Sequence, residues 1–283
     1  MRYDIKLPLV EPFQLAQDES YFMLLENGVE KRIRFHDYGE LYRRPGLYEQ
    51  LFYERLKCCS PEKVACILER VLNGNHVEMS ELRVLDLGAG NGMFGERLHA
   101  YGVARLVGVD ISEDARLACA RDRTGIYDEY YVTDLGISNN PLESELQRWK
   151  FDCISCIAAL GFGDIPASVF QKAFNLLAPG GWVALNIKET FFLKSDQSGF
   201  SSLIKSLLWV DALEIHHLER YRHRISIDGK PLYYYALIGK KKSGAPLSEY
   251  SRPDPDFNQH PVREIFSRTL NSLMGFRRHN RTP

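Results

Sequence analysis

Short apolar runs alternate with amphipathic segments from Leu82 onward, and this alternation predicts the architecture of the chain. The runs have the length of buried strands, and the segments between them have helical spacing. Such an order predicts an α/β fold, with a mostly parallel sheet and helices on both faces. Two late runs, Ala212–Ile225 and Pro231–Gly239, flank the turn signal Ile227–Lys230 and predict a terminal antiparallel hairpin.

The segment before the alternating region has its own pattern. Tyr21–Phe35 predicts a hairpin that turns at Asn27-Gly28. One helix is predicted from about Gly46. A second is predicted from Ser60, with Ser60 as the N-cap and Pro61 in the first turn. These elements predict an accessory unit in front of the sheet.

We therefore expect three regions along the chain. Residues 1–79 form an N-terminal hairpin and helical lid extension, residues 80–242 form the cofactor-binding core, and residues 243–283 form a polar, basic tail. Within the tail, Val262–Leu273 has the pattern of an amphipathic helix. Two interpretations of the tail stay open: a surface helix with a disordered end, or an appendage that binds RNA or a partner.

Composition narrows the range of partners. The chain has 283 residues, 45% of them hydrophobic and 26% charged, which is ordinary for a globular protein. Its net charge of −1 argues against nucleic acid as a global electrostatic partner. No apolar run reaches membrane-spanning length, so we expect no membrane partner. The first residues lack the apolar centre of a signal peptide, which favours the cytoplasm.

The spacing Cys153-x-x-Cys156 is also found in metal and redox sites. Both cysteines fall in a predicted buried strand, in which residues three apart face opposite sides of the sheet. We therefore expect reduced core thiols and no metal site.

A glycine-rich turn after an apolar strand is the strongest chemical signal in the chain. Val84–Leu87 is apolar except for Asp86, and the turn Gly88–Gly92 follows. Glycines let the backbone approach a ligand closely. The next helix, predicted at Met93–Tyr101, points its N-terminal dipole at the turn. The pattern predicts a nucleotide-like cofactor.

Two cofactor classes compete for this turn. Gly90–Gly95 matches the G-x-G-x-x-G pattern, and Asp110 lies where dinucleotide-binding folds place a ribose-binding acid. The strand ends just before Gly88, however, and counted from there the third glycine position holds Met93. Asp86 suits an ammonium or sulfonium group better than a pyrophosphate, because a carboxylate attracts a cation. The predicted terminal hairpin also disfavours an NAD-dependent dehydrogenase.

Five motifs in order resemble the class I S-adenosylmethionine (AdoMet)-dependent methyltransferases. They are Asp86–Gly92, Leu106–Ser112, Tyr131–Asp134, Phe151–Leu160 and Leu176–Leu185. The resemblance covers about residues 80 to 190 and implies a Rossmann-like, seven-stranded, mostly parallel sheet with a terminal antiparallel hairpin. Leu160–Pro166 and Lys188-Glu189 look most like the small-molecule members, with the Williams–Beuren-region methyltransferase-like group nearest.

The resemblance implies roles for three carboxylates and for the turn. Asp86 would orient the turn and balance the positive charge of AdoMet. Asp110 would accept hydrogen bonds from the ribose hydroxyls, and Asp134 would accept one from the adenine amino group. The turn residues expected around the methionine part are Gly88, Ala89, Gly90, Asn91 and Gly92.

Further cofactor contacts are implied outside the turn. Ile111 and Leu135 would pack near adenine, while Ala158 and Leu160 would lie on the sulfonium side. Tyr38 and Tyr42, which precede the core, resemble a lid over the cofactor. Hydrophobic packing of the N-terminal helix is an equal alternative for these tyrosines.

The acceptor side is less defined by the sequence. His36 and Lys188 are the candidate catalytic residues, since a hydroxyl acceptor requires a base. The candidates for contacting the acceptor are His36, Phe162, Lys188, Tyr221 and His223. The favoured function is methyl transfer to N, O or S of a small molecule. The alternatives are an RNA or protein methyltransferase and a non-catalytic AdoMet-binding partner subunit.

Overall fold

The structure, a computed structural model, describes residues 2–8, 19–160, 164–189 and 199–242. Phe162 and the tail 243–283, both singled out above, lie outside the described residues. No helix in the described part of the chain combines the length and the apolar character needed to cross a bilayer.

A small antiparallel sheet precedes the main sheet. Its strands, in spatial order, are β1 (Asp4–Lys6), β2 (Tyr21–Glu26) and β3 (Val29–Arg34). Asn27 and Gly28 have φ values of 53° and 78°, the left-handed values that a two-residue hairpin turn requires. The predicted hairpin is confirmed. Its buried side chains pack with the helices that follow, in one cluster that includes Phe22, Ile33, Phe35, Leu41 and Leu51.

Three helices connect this sheet to the core. They are α1 (Tyr38–Tyr42), α2 (Leu47–Glu49), which continues into a π-helical turn at Gln50–Arg55, and α3 (Ser60–Gly74). The prediction that Ser60 is the N-cap of α3 was wrong, because Cys59 holds that position. The Ser60 hydroxyl instead makes buried hydrogen bonds with Tyr221 and His223 on a distant strand.

The main sheet has seven strands in the order β6-β5-β4-β7-β8-β10-β9. The strands are β4 (Arg83–Leu87), β5 (Arg105–Asp110), β6 (Glu129–Val132), β7 (Cys153–Cys156), β8 (Trp182–Lys188), β9 (Leu213–Ile225) and β10 (Pro231–Lys241). Strands β4 to β8 pair in parallel, and β10 is antiparallel to both β8 and β9. The helices between them are α4 (Met93–Ala100), α5 (Glu113–Asp122), α6 (Glu143–Arg148), α7 (Ala167–Leu176) and α8 (Phe200–Trp209). The predicted fold class, including the terminal hairpin, is confirmed.

The two faces of the sheet carry separate apolar cores. Cys153 packs on one face with Leu68 of α3, and Cys156 packs on the other with Phe170 of α7. Both thiols are buried on opposite sides of the sheet, as the strand period predicts. Within the described residues, no group of three His, Cys, Asp or Glu side chains could hold a metal ion.

Strand β7 is shorter than the sequence pattern predicts. The apolar run Phe151–Leu160 suggests a strand throughout, but β7 ends at Cys156 and Ala158 has a left-handed φ of 59°. The chain therefore leaves the sheet early. Ala159 then lies so close to the turn after β4 that a Cβ on Gly88 would come within 2.7 Å of the Ala159 Cβ.

Candidate active site

A cleft of about 530 Å³ lies where four parallel strands end. Its lining includes Leu87 from β4, Asp110 from β5, Thr133 after β6 and Ile157 after β7. Open α/β sheets bind ligands in the crevice outside the carboxyl ends of their strands. The cleft has the size of a cofactor site, for which volumes of about 300–1,000 Å³ are usual.

The glycine-rich turn forms one wall of the cleft. Gly90 has a φ of 55°, and a Cβ there would lie 2.8 Å from the Tyr42 hydroxyl. Gly92, also predicted to bind the cofactor, is not among the described residues that line the cleft. A Cβ on Gly92 would meet Cys119 Sγ at 2.8 Å, so this glycine permits packing against α5.

Asp110 holds the turn and the start of α5 together. Its Oδ2 accepts a hydrogen bond from the Gly90 N–H at 2.9 Å, and its Oδ1 accepts one from the Ser112 N–H at 2.9 Å. Burial raises the pKa of this carboxyl, and the backbone hydrogen bonds partly oppose that shift. Each carboxylate oxygen can accept a further hydrogen bond, so Asp110 remains able to bind ligand hydroxyls.

Asp86 is a buried acid beneath the turn, with an exposed fraction of 2%. Tyr127 donates from its hydroxyl to Asp86 Oδ2 at 2.7 Å, and Ser155 Oγ donates to Oδ1 at 2.7 Å. Burial raises the pKa of Asp86 to about 6, although these two hydrogen bonds favour the ionised form. A cation bound nearby would stabilise the ionised carboxylate.

The three residues predicted to contact adenine all lie at the cleft. The apolar side chain of Ile111 is 67% exposed at the edge of the cleft, although most large apolar side chains of the described residues are at least partly buried. Leu135 is buried and belongs to one of the apolar cores. Asp134 is exposed, and its Oδ1 accepts a hydrogen bond from the Gly136 N–H at 2.7 Å. Ile111, Asp134 and Leu135 all line the cleft.

Aromatic residues of the N-terminal segment line the opposite part of the cleft. Tyr38 and Tyr42 stack with ring centroids 5.9 Å apart, and Tyr42 contacts Tyr48 at 5.2 Å. Burial raises the pKa of each of these tyrosines, so their hydroxyls stay protonated. Nearby, the turn residue Asn91 donates from Nδ2 to Glu49 Oε1 at 2.8 Å. The structure thus brings Tyr38, Tyr42, Ala89 and Asn91 to one cleft.

The cleft is strongly acidic. Its described lining contains the four carboxylates Asp86, Asp110, Asp134 and Asp164, and no Lys, Arg or His. Carboxylates attract a cationic ligand and repel a pyrophosphate. The carboxylates that line the cleft therefore suit a sulfonium nucleoside and do not suit the phosphates of a dinucleotide.

A small cavity of about 50 Å³ adjoins the cleft. The cleft and the small cavity share Tyr38, Tyr48, Ala158 and Asp164. The other residues that line the small cavity are His36, Phe52, Cys58, Leu160, His223, Arg224 and Tyr234. Leu160, which the sequence assigns to the cofactor, thus lines the small cavity, while Ala158 lies on the boundary.

His36 and Asp164 meet at this boundary. His36 Nδ1 lies 3.4 Å from Asp164 Oδ1, and Tyr38 donates from its hydroxyl to Asp164 Oδ2 at 3.4 Å. Asp164 was not among the site residues predicted from the sequence, in which it directly follows Gly161-Phe162-Gly163. The available signal was an acid that follows two glycines shortly after a predicted strand.

The remaining acceptor candidates are placed differently. Lys188 lies at the end of β8 opposite Tyr234, and it is not among the described residues that line either cavity. His223 lines the small cavity, and burial lowers its pKa well below the usual range, so its ring is neutral. The Tyr221 hydroxyl is buried in a network with Ser60 Oγ, at 2.6 Å, and Asn186 Nδ2, at 2.8 Å.

Asn186 is a second residue that the sequence analysis missed. Its Oδ1 accepts a hydrogen bond from the Ala158 N–H at 2.7 Å. This contact ties the buried network to the backbone at the boundary between the two cavities. An asparagine inside an apolar strand was the signal, since a buried polar group requires a partner.

Known proteins are similar to this chain in the part that contains the glycine-rich turn and the strands that end at the cleft. Residues 85–183 match a family model described as "Methyltransferase domain". The chain is 31% identical over 101 residues to a ubiquinone biosynthesis O-methyltransferase of Thiobacillus denitrificans, a match that covers 36% of this chain and 42% of that protein. It is 26% identical over 151 residues to the mitochondrial ubiquinone biosynthesis O-methyltransferase of Candida albicans, covering 52% of this chain and 44% of the relative. The chain thus spans less than half the length of the curated relatives it matches.

A solved structure with a similar fold is the N-methyltransferase NodS from Bradyrhizobium japonicum in complex with S-adenosyl-L-homocysteine. The two structures have a TM-score of 0.51 and 16% sequence identity, over 74% of this chain and 98% of NodS. This similarity supports the fold described above.

Proposed function

We propose that this chain, whose residues 85–183 match a methyltransferase domain, belongs to the class I AdoMet-dependent methyltransferases and transfers a methyl group from AdoMet to a small molecule. The observation that carries the proposal is the acidic cleft at the carboxyl ends of the strands. Its carboxylates complement the sulfonium and ammonium charges of AdoMet. An NAD pyrophosphate would find no cationic side chain among the described lining residues.

Each part of the cleft has a role in this proposal. Asp110 accepts hydrogen bonds from the ribose hydroxyls, Asp134 accepts one from the adenine amino group, and Ile111 covers the adenine ring. Asp86 supports the turn and balances the positive charge. When bound, AdoMet supplies a methyl group on a sulfonium, so that the acceptor atom bonds the methyl carbon as the carbon–sulfur bond breaks and a neutral thioether leaves.

The acceptor enters from the small cavity, which meets the cleft at Ala158 and Asp164. His36, paired with Asp164, accepts the proton that the acceptor loses. The Asp164 carboxylate orients the imidazole and stabilises its protonated form. Lys188 lies outside the described lining of both cavities, and we assign it no role in the proton transfer.

We favour a hydroxyl group on the acceptor. A hydroxyl needs a base during methyl transfer, whereas a neutral amine or a thiolate does not, and a histidine–aspartate pair lies at the boundary between the cavities. The curated relatives are named as O-methyltransferases of ubiquinone biosynthesis, which supports an oxygen acceptor. The six free cysteines favour a reducing compartment such as the cytoplasm.

Calorimetric titration tests the cofactor assignment. We expect the purified chain to bind AdoMet and S-adenosylhomocysteine and to leave NAD unbound. A screen with methyl-labelled AdoMet should then find label on small hydroxylated molecules. Binding of NAD without AdoMet would overturn the proposal. Transfer of label only to RNA or protein, or binding without any transfer, would replace it by one of the two alternatives.

A further inference from the structure

Arg224 is a buried cation that has no counter-ion among the residues that the structure describes. It is 5% exposed. Its Nη1 donates to the Ile225 carbonyl at 3.0 Å, and its guanidinium carbon lies 5.6 Å from the Phe35 ring and 5.9 Å from the Phe52 ring. It forms no ion pair with any carboxylate of the described residues. Burial lowers the pKa of Arg224, which reflects the cost of holding a charge away from water.

A β-bulge directs Arg224 into the small cavity. Arg222 pairs with Tyr233 and Arg224 pairs with Leu232, so His223 is an extra residue on β9. Neighbouring side chains of a regular strand point to opposite faces, yet His223 and Arg224 are both buried and both line the small cavity. Bulges re-aim side chains in this way and are frequent next to active sites.

Lys241 is a second buried cation, and its ammonium group donates hydrogen bonds to backbone carbonyl groups. Lys241 is 3% exposed, and its Nζ donates to the Phe174 carbonyl at 2.9 Å and the Leu177 carbonyl at 2.7 Å, at the end of α7. Its charge is therefore satisfied by the fold. A guanidinium has five N–H donors, and Arg224 uses one of its nitrogens for a hydrogen bond to the protein. Arg224 thus retains donors for a ligand in the small cavity.

We propose that Arg224 binds a carboxylate of the methyl acceptor in the small cavity, an inference that rests on the proposed function. A guanidinium and a carboxylate match in shape and form paired hydrogen bonds. The cavity volume of about 50 Å³ suits a small planar group. The rest of the acceptor extends toward the cleft across the shared wall, among the rings of Tyr38, Tyr48 and Tyr234.

The charges around the small cavity favour a monoanion. Asp164 is the one carboxylate among the described residues that line it, and it interacts with His36 and Tyr38. A doubly charged phosphate would be repelled by Asp164 and would exceed the single positive charge of Arg224. His223 is neutral and offers no second positive charge. A small aromatic carboxylic acid therefore fits best.

The test uses benzoate and its neutral isostere benzamide. Both are titrated calorimetrically into the full chain, alone and saturated with S-adenosylhomocysteine. The variants are Arg224→Met and the matched control Arg222→Met, which removes an exposed arginine from the same strand. We expect Arg224→Met to weaken benzoate binding by about tenfold or more, because a charge-assisted hydrogen-bond pair is lost. Benzamide binding should be equal in all three proteins, and Arg222→Met should match the wild type.

The outcomes separate this inference from the proposed function. If S-adenosylhomocysteine binds but benzoate binds wild type and Arg224→Met equally, or does not bind the wild type at all, the carboxylate assignment is overturned while the methyltransferase proposal stands. If S-adenosylhomocysteine does not bind the wild type, the methyltransferase proposal fails. If Arg224→Met does not fold, Arg224→Lys replaces it in the test. Lysine keeps the positive charge but lacks the planar guanidinium that forms paired hydrogen bonds with a carboxylate. This variant must bind benzoate severalfold more weakly than the wild type while it still binds S-adenosylhomocysteine.

Discussion

The cleft and the small cavity share a wall but differ in the charge of their lining residues and in the elements that supply those residues. The described lining of the cleft contains four carboxylates and no cationic side chain, and most of it comes from the ends of consecutive parallel strands. The small cavity contains a buried arginine and two histidines, and it joins the N-terminal segment to β9 and β10. The proposed cofactor side therefore depends mainly on residues of the core that are close in sequence, whereas the proposed acceptor side forms only when distant segments meet.

Replacing His36 should give the largest effect. We expect His36→Asn to lower kcat by about 10²–10⁴-fold, the usual contribution of a general base. The affinity for AdoMet should be unchanged, because His36 lines the small cavity and not the cleft. Methyl transfer and calorimetry measure the two quantities separately. His99→Asn, on the exposed surface of α4, is the control. Full turnover by His36→Asn would remove the base role.

Removing the Asp110 carboxylate should weaken AdoMet binding. Two hydrogen bonds to a charged group, at about 1.5–3 kcal/mol each, correspond to a loss of AdoMet affinity of about 100-fold or more in Asp110→Ala. Asp128→Ala is a matched control, since Asp128 also accepts a backbone hydrogen bond, from the Leu106 N–H at 2.7 Å, before the start of β6. An equal loss in both variants would show that the effect is structural.

The buried acid beneath the turn should make AdoMet binding depend on pH. Burial raises the pKa of Asp86 to about 6, so the carboxyl is ionised above that pH and protonated below it. Because the cation requires the ionised form, affinity should fall about tenfold per pH unit below pH 6, with proton release on binding in that range. The stability of the cofactor-free protein should depend on pH in the opposite direction. Because the pKa of Asp86 is higher in the folded than in the unfolded chain, this carboxyl raises the free energy of unfolding as pH falls from about 6 toward 4.

Calorimetry at pH 7.5, 6 and 5 in two buffers measures both the affinity and the proton release. Asp86→Asn provides the comparison, and it should bind more weakly at pH 7.5 but without this pH dependence. If wild type and Asp86→Asn show the same slope, another group titrates and Asp86 does not balance the cofactor charge.

The smallest effect is expected at the edge of the cleft. Ile111→Ala removes apolar surface that the adenine ring would cover, and partial burial of the lost carbons predicts about fivefold weaker AdoMet binding. The unfolding temperature should hardly change, because Ile111 is 67% exposed. Ile137→Ala, at another exposed isoleucine outside the described lining of the cleft, should leave binding unaltered. Equal affinities in wild type and Ile111→Ala would place adenine elsewhere.

Much of the fold could be read from the chain because its signals are local. The alternating apolar runs predicted the parallel strands, Asn27-Gly28 predicted the hairpin turn, and residues 85–183 match a methyltransferase domain, in agreement with the resemblance of the five motifs. The end of β7 could not be read in this way, because the apolar run continues to Leu160 while the backbone turns away at Ala158. Apolar character indicates burial, and it does not distinguish a strand from a buried loop.

The glycine-rich turn, the acids at the strand ends and the order of the elements can be predicted from the amino-acid sequence alone, since each depends on residues within a few positions of one another. Which distant side chains meet depends on the tertiary fold. In the fold, the Ser60 hydroxyl does not cap α3 but forms hydrogen bonds with Tyr221 and His223. His36 lies beside Asp164, and a β-bulge directs Arg224 inward. The physical reason is that hydrogen bonding and charge pairing depend on distance in space, which a local pattern does not encode.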